Sequence, residues 1–439
     1  MDELIRDMME GKRVLLLGFG REGQGSYDLI RRVLPDQLLT IADASEAIRA
    51  NEKLTGDPLV TVKTGAGYLE GIGEYDVIVK SPGISLKDLA GRIDPSKITS
   101  QTDLFLRRFS GQVIGVTGTK GKSTTASLIS HILTNAGRDA ILLGNIGTPA
   151  FHFIDRITPG TLVVFELSSH QLQHVVRSPH IAVLLNLYQE HLDAYRSYEE
   201  YRLAKMNIMR FQQADDYFIY NADDPLVVAH AETLKGDQSL VPFSLQGGGM
   251  VYDFHNRYLR GDHNRRNVLA AVAACRICGV DDFGIDEGLD SFKGLAHRME
   301  YVGEFHGILF YDDSIATIPE ACMAAVRAIP DVDTLVLGGF DRGVEYGELA
   351  GFLLGSGVQT FLLTGMAGAR IAEEMERQGS RGKRVIRIRR FDEFLEPALK
   401  YTRPGHVCLL SPAAASYDEF RSFEERGMRF VQLVQTNNP

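Results

Sequence analysis

The sequence of 439 residues has no tryptophan and only four cysteines. Four cysteines in a chain of this length do not form a disulfide framework. Cys275 and Cys278 form a C-x-x-C pair within an alanine-rich helical stretch, but no second pair of ligands follows at zinc spacing, so we expect buried free thiols. Basic residues are fewer than acidic ones, and the resulting net charge of −10 argues against a nucleic-acid-binding surface.

Long apolar runs are also missing, since no segment approaches the roughly 20 residues needed to span a bilayer. The chain begins M-D-E-L-I-R, which lacks the apolar core of a signal peptide. We therefore expect a cytoplasmic protein without membrane insertion. The composition, 44% hydrophobic and 24% charged, is typical of a globular protein, and the length predicts two or three domains.

The sequence is organised around a glycine-rich stretch at residues 113–125. An apolar run leads into T-G-T-K-G-K-S-T-T, and a segment with helical spacing follows. In such a phosphate cradle backbone N–H groups turn inward, Lys122 reaches the β- and γ-phosphates, and the Ser123 hydroxyl binds Mg²⁺. The strict pattern G-x-x-x-x-G-K-[ST] is not met, because Val116 occupies the place of its first glycine. We predict nucleotide phosphate binding, with a plain strand–turn–helix corner as the alternative.

A second glycine motif lies near the N-terminus. Residues 18–23 read G-F-G-R-E-G between an apolar strand and a helical stretch, and Asp43 ends the next strand about 20 residues further on. This arrangement is typical of a dinucleotide fold, so an NAD-dependent dehydrogenase is one hypothesis. A later strand ends in the turn S-P-G-I at residues 81–84, which would face the ligand crevice of a parallel sheet.

Strands and helices alternate along the rest of the chain, which predicts parallel sheets covered on both faces. Glu166 ends an apolar strand, where a further Mg²⁺ contact is expected beside a phosphate loop; a helix N-cap acid is the alternative. Lys205 lies in a helix predicted over residues 198–209. Residues 261–267 are predicted as a polar turn that opens an alanine-rich helix.

Together these motifs resemble the Mur ligases, ATP-dependent amide-forming enzymes of bacterial cell-wall synthesis, over nearly the whole chain. The motifs that carry the resemblance are T-G-T-K-G-K-S at 117–123, G-N-I-G at 144–147, E-L-S-S at 166–169, Asn186 with His191 and Asp193, Lys205, H-N at 263–264, H-R at 297–298, D-D-S at 312–314, S-P-A-A-A-S-Y-D at 411–418 and F-E-E-R-G at 423–427. Several motifs in one order are far more specific than any single one.

The resemblance implies an α/β fold with three domains. Residues 1–100 would form a Rossmann-like domain that binds a UDP-sugar-nucleotide. Residues 101–296 would form a central P-loop ATPase-type parallel sheet. Residues 297–439 would form a Rossmann-like domain that closes over ATP and binds glutamate.

The implied reaction joins glutamate to UDP-N-acetylmuramoyl-L-alanine through an acyl phosphate, in peptidoglycan precursor synthesis, with ATP and two Mg²⁺ ions. The implied catalytic residues are Lys122, Glu166, His191 and Lys205. The implied metal contacts are Ser123, Glu166, His191 and Lys205 as a carbamate, because CO₂ addition converts the lysine cation into an anionic oxygen ligand for a hard cation. From the residues alone, a solvated lysine at position 205 and a polar loop histidine at position 191 would be the expectation.

The resemblance implies three groups of binding residues. The implied ATP contacts are Gly118, Thr119, Lys120, Gly121, Lys122, Ser123, Thr124, Asn264, Asn267, Arg298 and Asp313. The implied UDP-substrate contacts are Gly20, Arg21, Glu22, Asp43, Ser81, Pro82, Gly83, Asn145 and His191. The implied glutamate contacts are Thr317, Arg342, Ser416 and Phe423.

Two departures concern the acceptor, because Ile315 and Arg342 stand where lysines are common in the family. D-glutamate is the expected acceptor, and L-glutamate, which a subgroup of similar ligases adds, is the alternative. A dehydrogenase would leave Lys122 and Glu166 unexplained, and a non-catalytic nucleotide-binding protein would not need His191. We expect a monomer whose partners are its small-molecule substrates and not nucleic acid.

Overall fold

The computed structural model describes residues 1–89, 91–144, 149–190, 194–234, 236–256, 258–259, 261–380 and 382–436. Two residues with predicted site roles, Asn145 and His191, lie outside the described residues. The chain divides into two compact units, residues 1–292 and residues 293–439.

The first unit begins with a sheet of five short parallel strands. They are β1 (Val14–Leu17), β2 (Leu39–Asp43), β3 (Val60–Thr64), β4 (Val77–Lys80) and β5 (Ile98–Thr99), in the order β3-β2-β1-β4-β5. The helices here are α1 (Asp2–Met9), α2 (Arg21–Val33), α3 (Glu52–Thr55) and α4 (Gln101–Phe109). Every residue of β1 and β4 is buried, which explains why both strands are almost continuously apolar.

The second sheet of the first unit has six parallel strands. They are β6 (Val113–Thr117), β7 (Ala140–Gly144), β8 (Leu162–Glu166), β9 (Ile181–Leu184), β10 (Tyr217–Asn221) and β11 (Ser239–Phe243), in the order β11-β10-β9-β6-β8-β7. The helices here are α5 (Lys122–Asn135), α6 (Ser169–Leu172), α7 (Tyr198–Arg210), α8 (Pro225–Leu234), α9 (Gly261–Ile277) and α10 (Asp282–Ser291). The central β6 leads directly into the phosphate loop.

Residues 101–109, whose sequence predicts a short linking helix, form α4 between the two sheets. Its N-terminus is capped by the Ser100 hydroxyl, which accepts the Asp103 N–H at 3.0 Å. Its residues Leu104, Phe105 and Leu106 are buried in an apolar cluster to which both sheets contribute. The helix is therefore a core element of the first unit and not an exposed linker.

The second unit contains a six-stranded sheet with one antiparallel edge. Its strands are β12 (Glu300–Phe305), β13 (Ile308–Asp312), β14 (Val332–Gly338), β15 (Thr360–Thr364), β16 (Arg384–Arg387) and β17 (Val407–Leu410), in the order β12-β13-β17-β14-β15-β16. Its helices are α11 (Pro319–Ala328), α12 (Gly347–Gly355), α13 (Gly365–Arg377), α14 (Leu395–Tyr401) and α15 (Phe423–Thr436). The edge hairpin turns at His306 and Gly307, whose φ angles of 53° and 71° suit a two-residue turn.

The predicted α/β class is confirmed, and the predicted domain boundaries stay predictions. The polar turn predicted over residues 261–267 is wrong, because α9 already begins at Gly261. Asp262 in its first turn is favoured by the positive end of the helix dipole, so polar residues do not prevent helix formation there. Among the described residues, no helix combines the length and the apolar character needed to cross a bilayer.

Candidate active site

The phosphate loop leaves β6 and closes tightly on the start of α5. Gly118 and Gly121 have φ angles of 155° and 90°, a region that residues with a Cβ rarely adopt. A Cβ on Gly121 would also overlap with the side-chain oxygen of Asn267. Asn186, which lies outside the loop, stabilises it with two hydrogen bonds. Its backbone carbonyl accepts the Thr119 N–H at 3.0 Å, and its side-chain oxygen accepts the Lys120 N–H at 2.8 Å.

Lys122 and Lys205 reach the same oxygen of this loop. The Lys122 Nζ donates to the carbonyls of Gly118 and Thr119 at 3.0 and 3.1 Å, and the Lys205 Nζ donates to the Gly118 carbonyl at 2.9 Å. Lys122 opens α5, whereas Lys205 comes from α7, more than eighty positions later in the chain. The fold therefore brings two ammonium groups to one point at the phosphate loop.

Lys205 is buried, with only 2% of the residue exposed. Burial is the main cause that lowers its pKa well below the ordinary lysine value, and the nearby Lys122 charge lowers it further. The charges of Glu190 and Glu166 raise the pKa of Lys205, but by less than burial and Lys122 lower it. Lys205 is thus shifted towards the neutral amine, which is the form that reacts with electrophiles such as CO₂.

Ser123 and Glu166 also meet at the phosphate loop. Glu166 ends β8, the direct neighbour of β6, and its Oε1 accepts a hydrogen bond from the Ser123 hydroxyl at 3.1 Å. A hydroxyl and a carboxylate are oxygen ligands of the kind that Mg²⁺ prefers, so these two residues fit the predicted metal contact. Two residues from outside the loop, Glu166 and the buried Lys205, thus contribute a carboxylate and a lysine to the site.

Asn264 and Asn267, which the family resemblance implies lie near the adenine of ATP, are one helical turn apart on α9. The Asn267 side-chain amide donates to the Asn264 side-chain oxygen at 3.2 Å, and the Asn267 oxygen lies against Gly121. Asn267 is buried. The structure therefore brings Asn267 to the phosphate loop, and the role of the two residues towards adenine stays a prediction.

A cavity of about 350 Å³ opens at the carboxyl ends of β1, β2 and β4. Every predicted UDP-substrate residue within the described part of the chain lines it, namely Gly20, Arg21, Glu22, Asp43, Ser81, Pro82 and Gly83. Hydrogen bonds hold part of its wall in place, because the Asp43 carboxylate accepts the N–H groups of Phe19 and Ser45, both at 2.8 Å. The ligand that this cavity takes stays a prediction.

A second cavity of about 190 Å³ shares Arg21, Glu22 and Pro82 with the first and extends to Ser168 and Gln171. The Gln171 side-chain amide donates to Glu22 Oε1 at 3.2 Å, which links α6 of the central sheet to α2 of the first sheet. We did not predict Ser168 or Gln171 as site residues. Their signal was the motif E-L-S-S-H-Q, which begins at Glu166.

Two predicted nucleotide contacts, Arg298 and Asp313, belong to the second unit. Asp313 follows β13, and burial is the main cause that raises its pKa to about 7. The Ser411 hydroxyl and the Met299 N–H donate to its two oxygens at 2.8 and 3.1 Å and partly oppose that rise. Arg298 is exposed, and the nucleotide roles of both residues stay predictions.

His297, Glu300 and Asp312 form a further cluster in the second unit, with potential metal-ligand atoms within 4.8 Å of one another. His297 Nδ1 lies 2.7 Å from an oxygen of Asp312. Burial alone would lower the pKa of His297, but the hydrogen bond and the charges of Asp312 and Glu300 outweigh it, so the pKa is raised. We interpret the cluster as an ion pair that fixes the chain before β12.

The predicted glutamate contacts lie after three neighbouring strands of the second unit. Thr317 follows β13, Arg342 follows β14, Ser416 follows β17, and Phe423 begins α15. Because β13, β17 and β14 are adjacent and parallel, their carboxyl ends share one edge of the sheet. Arg342 is exposed, with its guanidinium 5.4 Å from the ring centre of Tyr417.

Two family models match the chain. The model described as the Mur ligase middle domain matches residues 116–275, and the model described as the glutamate ligase domain of Mur ligases matches residues 297–414. The first match contains the phosphate loop, Glu166 and Lys205. The second begins at His297 and contains the loops that follow β13 and β14.

Whole-chain comparisons agree with these matches. The UDP-N-acetylmuramoylalanine–D-glutamate ligase of Symbiobacterium thermophilum is 37% identical over 425 residues, which cover 90% of this chain and 92% of that protein. The protein of the same name from Geobacillus kaustophilus is 34% identical and covers 96% of this chain and 97% of its own length. The crystal structure of MurF from Acinetobacter baumannii, at 16% identity, matches the fold with a TM-score of 0.58 over 98% of this chain and 92% of that one. The chain therefore belongs to the Mur ligase family.

Proposed function

We propose that this protein joins D-glutamate to UDP-N-acetylmuramoyl-L-alanine with consumption of ATP, as a step of peptidoglycan precursor synthesis. The observation that carries the proposal is the convergence of Lys122, Lys205, Ser123 and Glu166 at one phosphate loop. The names of relatives at 34–37% identity over nearly the whole chain support the choice of substrates.

The reaction proceeds in two steps. The substrate carboxylate attacks the γ-phosphorus of ATP, so that a carboxyl-oxygen–phosphorus bond forms and the bond to ADP breaks. The glutamate amine then attacks the acyl carbon, a proton leaves the nitrogen, and inorganic phosphate departs with the oxygen. Phosphoryl transfer between two anions depends on alignment and charge neutralisation more than on covalent help.

Lys122 supplies part of that neutralisation. Its ammonium group now donates to two carbonyls of the loop, at the point where the β- and γ-phosphates of a bound nucleotide would lie. Ser123 and Glu166 would hold Mg²⁺, with Ser123 giving up its hydrogen bond to the carboxylate. When bound there, Mg²⁺ would neutralise part of the phosphate charge.

Lys205 is proposed to act as a carbamate and to contact a second Mg²⁺ together with His191. The support is its burial and lowered pKa, since a carbamate forms from the neutral amine. A free ammonium group beside Lys122 would add a second positive charge at that point and would repel a metal ion. A carbamate reverses the sign of the charge and offers oxygen ligands.

The two adjoining cavities of the first unit, which share Arg21, Glu22 and Pro82, are proposed to hold the nucleotide-sugar substrate. The cavity at the ends of β1, β2 and β4 would take UDP, and the adjoining one would take the sugar and the alanine. The second cavity supports an orientation with the alanine towards the phosphate loop, because its lining residue Ser168 lies two residues after Glu166, near the proposed metal site. The substrate carboxylate would then approach the phosphate loop from this side.

D-glutamate is the acceptor that we propose, and L-glutamate remains the alternative because of Ile315 and Arg342. The names of the relatives specify D-glutamate. Two carboxylates on the acceptor need at least two anion contacts. Arg342 can bind one of them through two parallel hydrogen bonds, and Ser416 with a backbone N–H near Phe423 would bind the other. The monomeric state and the cytoplasmic location stay predictions.

The decisive experiment measures phosphate release with ATP, Mg²⁺ and UDP-N-acetylmuramoyl-L-alanine, with D- or L-glutamate as the acceptor. We expect release that depends on all substrates and is faster with D-glutamate. Faster release with L-glutamate would keep the ligase but change its acceptor. No release with either enantiomer, despite measurable ATP binding, would contradict the proposal and favour a non-catalytic nucleotide-binding protein.

A further inference from the structure

Arg426 is the largest of the fully buried side chains among the described residues, with 2% of the residue exposed. It lies in the first turn of α15, within the F-E-E-R-G motif that begins at Phe423. Neither the predicted site nor the proposed reaction assigns a role to Arg426 itself. A buried charge is costly unless hydrogen bonds compensate for the lost water. The contacts of this guanidinium therefore indicate what it stabilises.

The guanidinium donates to oxygens in the loops after β13 and β17 and to the last residue of β14, Gly338, from which the third loop leaves. Its Nε donates to the Ser314 hydroxyl at 3.0 Å, and its Nη2 donates to the carbonyls of Ser314 and Ala414 at 2.9 and 3.1 Å. Its Nη1 donates to the carbonyls of Ala415 and Gly338 at 3.2 and 3.5 Å. All of these acceptors are uncharged, and Asp418 and Asp312 act on the guanidinium by their charges without an observed hydrogen bond.

These loops follow β13, β14 and β17, the three adjacent strands whose carboxyl ends carry the predicted glutamate contacts. Ser314 lies three residues before Thr317, Gly338 lies four before Arg342, and Ala415 directly precedes Ser416. The Ser314 hydroxyl in turn donates to the carbonyl of Phe423 at 2.8 Å. One side chain thus joins all the segments that the acceptor is predicted to touch.

We propose that Arg426 is a positioning residue for the amino-acid acceptor, which holds the three loops at the spacing that a five-carbon diacid requires. This inference rests on the proposed function for the identity of the acceptor. Burial lowers the pKa of Arg426 to about 10, so the group stays charged at neutral pH.

The geometry of the contacts requires arginine. A guanidinium offers five N–H donors in a fixed plane, whereas an ammonium group is a compact donor on a flexible stem. A lysine at position 426 could keep the charge but could not bind the loops after β13, β14 and β17 together. Arg426→Lys therefore separates the joining of the loops from the presence of a charge.

The experiment compares steady-state kinetics of the wild type, Arg426→Lys and Arg426→Met. We expect the KM for glutamate to rise on the order of tenfold to a hundredfold in both variants, because displaced loops weaken the contacts to the acceptor and every 1.4 kcal/mol lost is about tenfold in affinity. The KM values for ATP and for the nucleotide-sugar should change less than about twofold. A wild-type KM for glutamate in Arg426→Lys would overturn the proposal.

Arg429→Met is the matched control on the same helix. Arg429 forms a paired salt bridge to Asp392 at 2.9 and 2.5 Å and contacts none of the three loops. We expect this variant to change the thermal midpoint without raising the KM for glutamate. If the glutamate KM rises equally in Arg429→Met and in Arg426→Lys, the effect is general destabilisation and the proposal is overturned.

Wild-type ligation of glutamate is measured first, and its absence would contradict the proposed function and not the joining of the loops. The joining is tested separately by amide hydrogen exchange. We expect faster exchange at residues 314–317, 338–342 and 414–417 in Arg426→Lys than in the wild type. Equal exchange in these three segments would overturn the proposal whatever the acceptor is.

Discussion

Lys205 combines a buried position, a lowered pKa and a hydrogen bond to the Gly118 carbonyl. The carbonyl contact alone would make it a structural residue that fixes the phosphate loop. A role as a carbamate requires in addition that an anionic oxygen group at this place supports the reaction. The two roles can be separated, because only the second is restored by an added anion.

We expect Lys205→Ala to be nearly inactive and a short carboxylic acid in the assay to restore part of the rate. The added carboxylate would occupy the space of the carbamate and supply the missing oxygen ligand. Phosphate release measured against acid concentration checks this. Full activity of Lys205→Ala without additive would refute the role.

Lys205→Arg is the control for the charge. A guanidinium can reach the Gly118 carbonyl and remains positive, but it does not form a carbamate under these conditions. We expect this variant to be inactive, with a thermal midpoint closer to that of the wild type than Lys205→Ala has. High activity of Lys205→Arg would indicate that the positive charge, and not the carbamate, is needed.

Arg342 is exposed, and its position beside Tyr417 leaves its guanidinium available to a ligand. We expect Arg342→Ala to raise the KM for glutamate roughly 30-fold or more and the KM for ATP little. Truncating one partner of a charge pair in a partly dry site costs about 2–5 kcal/mol, and 1.4 kcal/mol corresponds to tenfold. Ile315 offers no cation that could replace it.

The matched control for Arg342 is Arg384, whose guanidinium lies 4.1 Å from the ring centre of Tyr401. It is likewise an exposed arginine stacked on a tyrosine of the second unit, but it begins β16, away from the predicted acceptor loops. Arg384→Ala should leave the glutamate KM unchanged. Comparable losses for ATP and glutamate in Arg342→Ala would move the acceptor site elsewhere.

At the scale of elements, the start of α15 packs closely on the segment before β12. Gly427 directly follows Arg426, and a Cβ at this position would overlap with the ring of His297 and the carboxylate of Asp312. The glycine therefore lets the helix approach the ion pair while Arg426 reaches the three loops. The two neighbouring residues complement each other. Gly427 permits the close approach because it has no side chain, and Arg426 reaches the loops because its side chain is long.

We expect Gly427→Ala to destabilise the protein by about 1–3 kcal/mol, the usual cost of forcing extra volume into a packed interior. One kcal/mol lowers the thermal midpoint of a domain of 150–250 residues by about 2–4 °C. Thermal unfolding checks the shift. Gly355→Ala is the control, because Gly355 ends α12 with no other group within 4 Å of a new Cβ, and alanine favours helices. An unchanged midpoint in Gly427→Ala would contradict the close packing.

Sequence patterns predicted the elements whose signal is local. The phosphate loop, the end of β8 at Glu166 and the linking helix α4 each combine an apolar run with a polar or glycine-rich boundary. The prediction for the polar start of α9 is wrong, because its asparagines resemble a turn in sequence, whereas in the fold both are helical and Asn267 packs against the phosphate loop. The antiparallel β12 was missed, because its pairing depends on a turn at His306 and Gly307 that carries no strong sequence signal.

At the scale of the whole molecule, the contacts that sequence reasoning could not find are those between distant segments. Arg426 binds residues 112 and 88 positions away, and Lys205 reaches Gly118 across 87 positions. No periodicity or spacing encodes such a pair. Resemblance to a family supplied the residues, whereas only the fold shows that Lys122 and Lys205 share one carbonyl or that Ser168 and Gln171 line a second cavity.

The first unit contains the phosphate loop and the cavity proposed for UDP as separate sites, so their ligands should stabilise the protein independently. A ligand that binds only the folded state adds about 2.7 kcal/mol at a concentration about 100 times its Kd. We expect ADP with Mg²⁺ and UDP each to raise the thermal midpoint of the wild type. In Lys122→Ala, the ADP shift should disappear and the UDP shift should remain.

The same variant should lose roughly a thousandfold or more of the ligation rate, because it lacks a charge that stabilises the transferring phosphoryl group. Lys53→Ala is the comparison outside both sites, since the Lys53 side chain is 43% exposed and ion-paired with Asp28. It should keep the ADP shift and most of the rate, because an exposed pair contributes little. A Lys122→Ala protein that retains a tenth of wild-type turnover, or that loses the UDP shift together with the ADP shift, would contradict the separate assignment of the two sites.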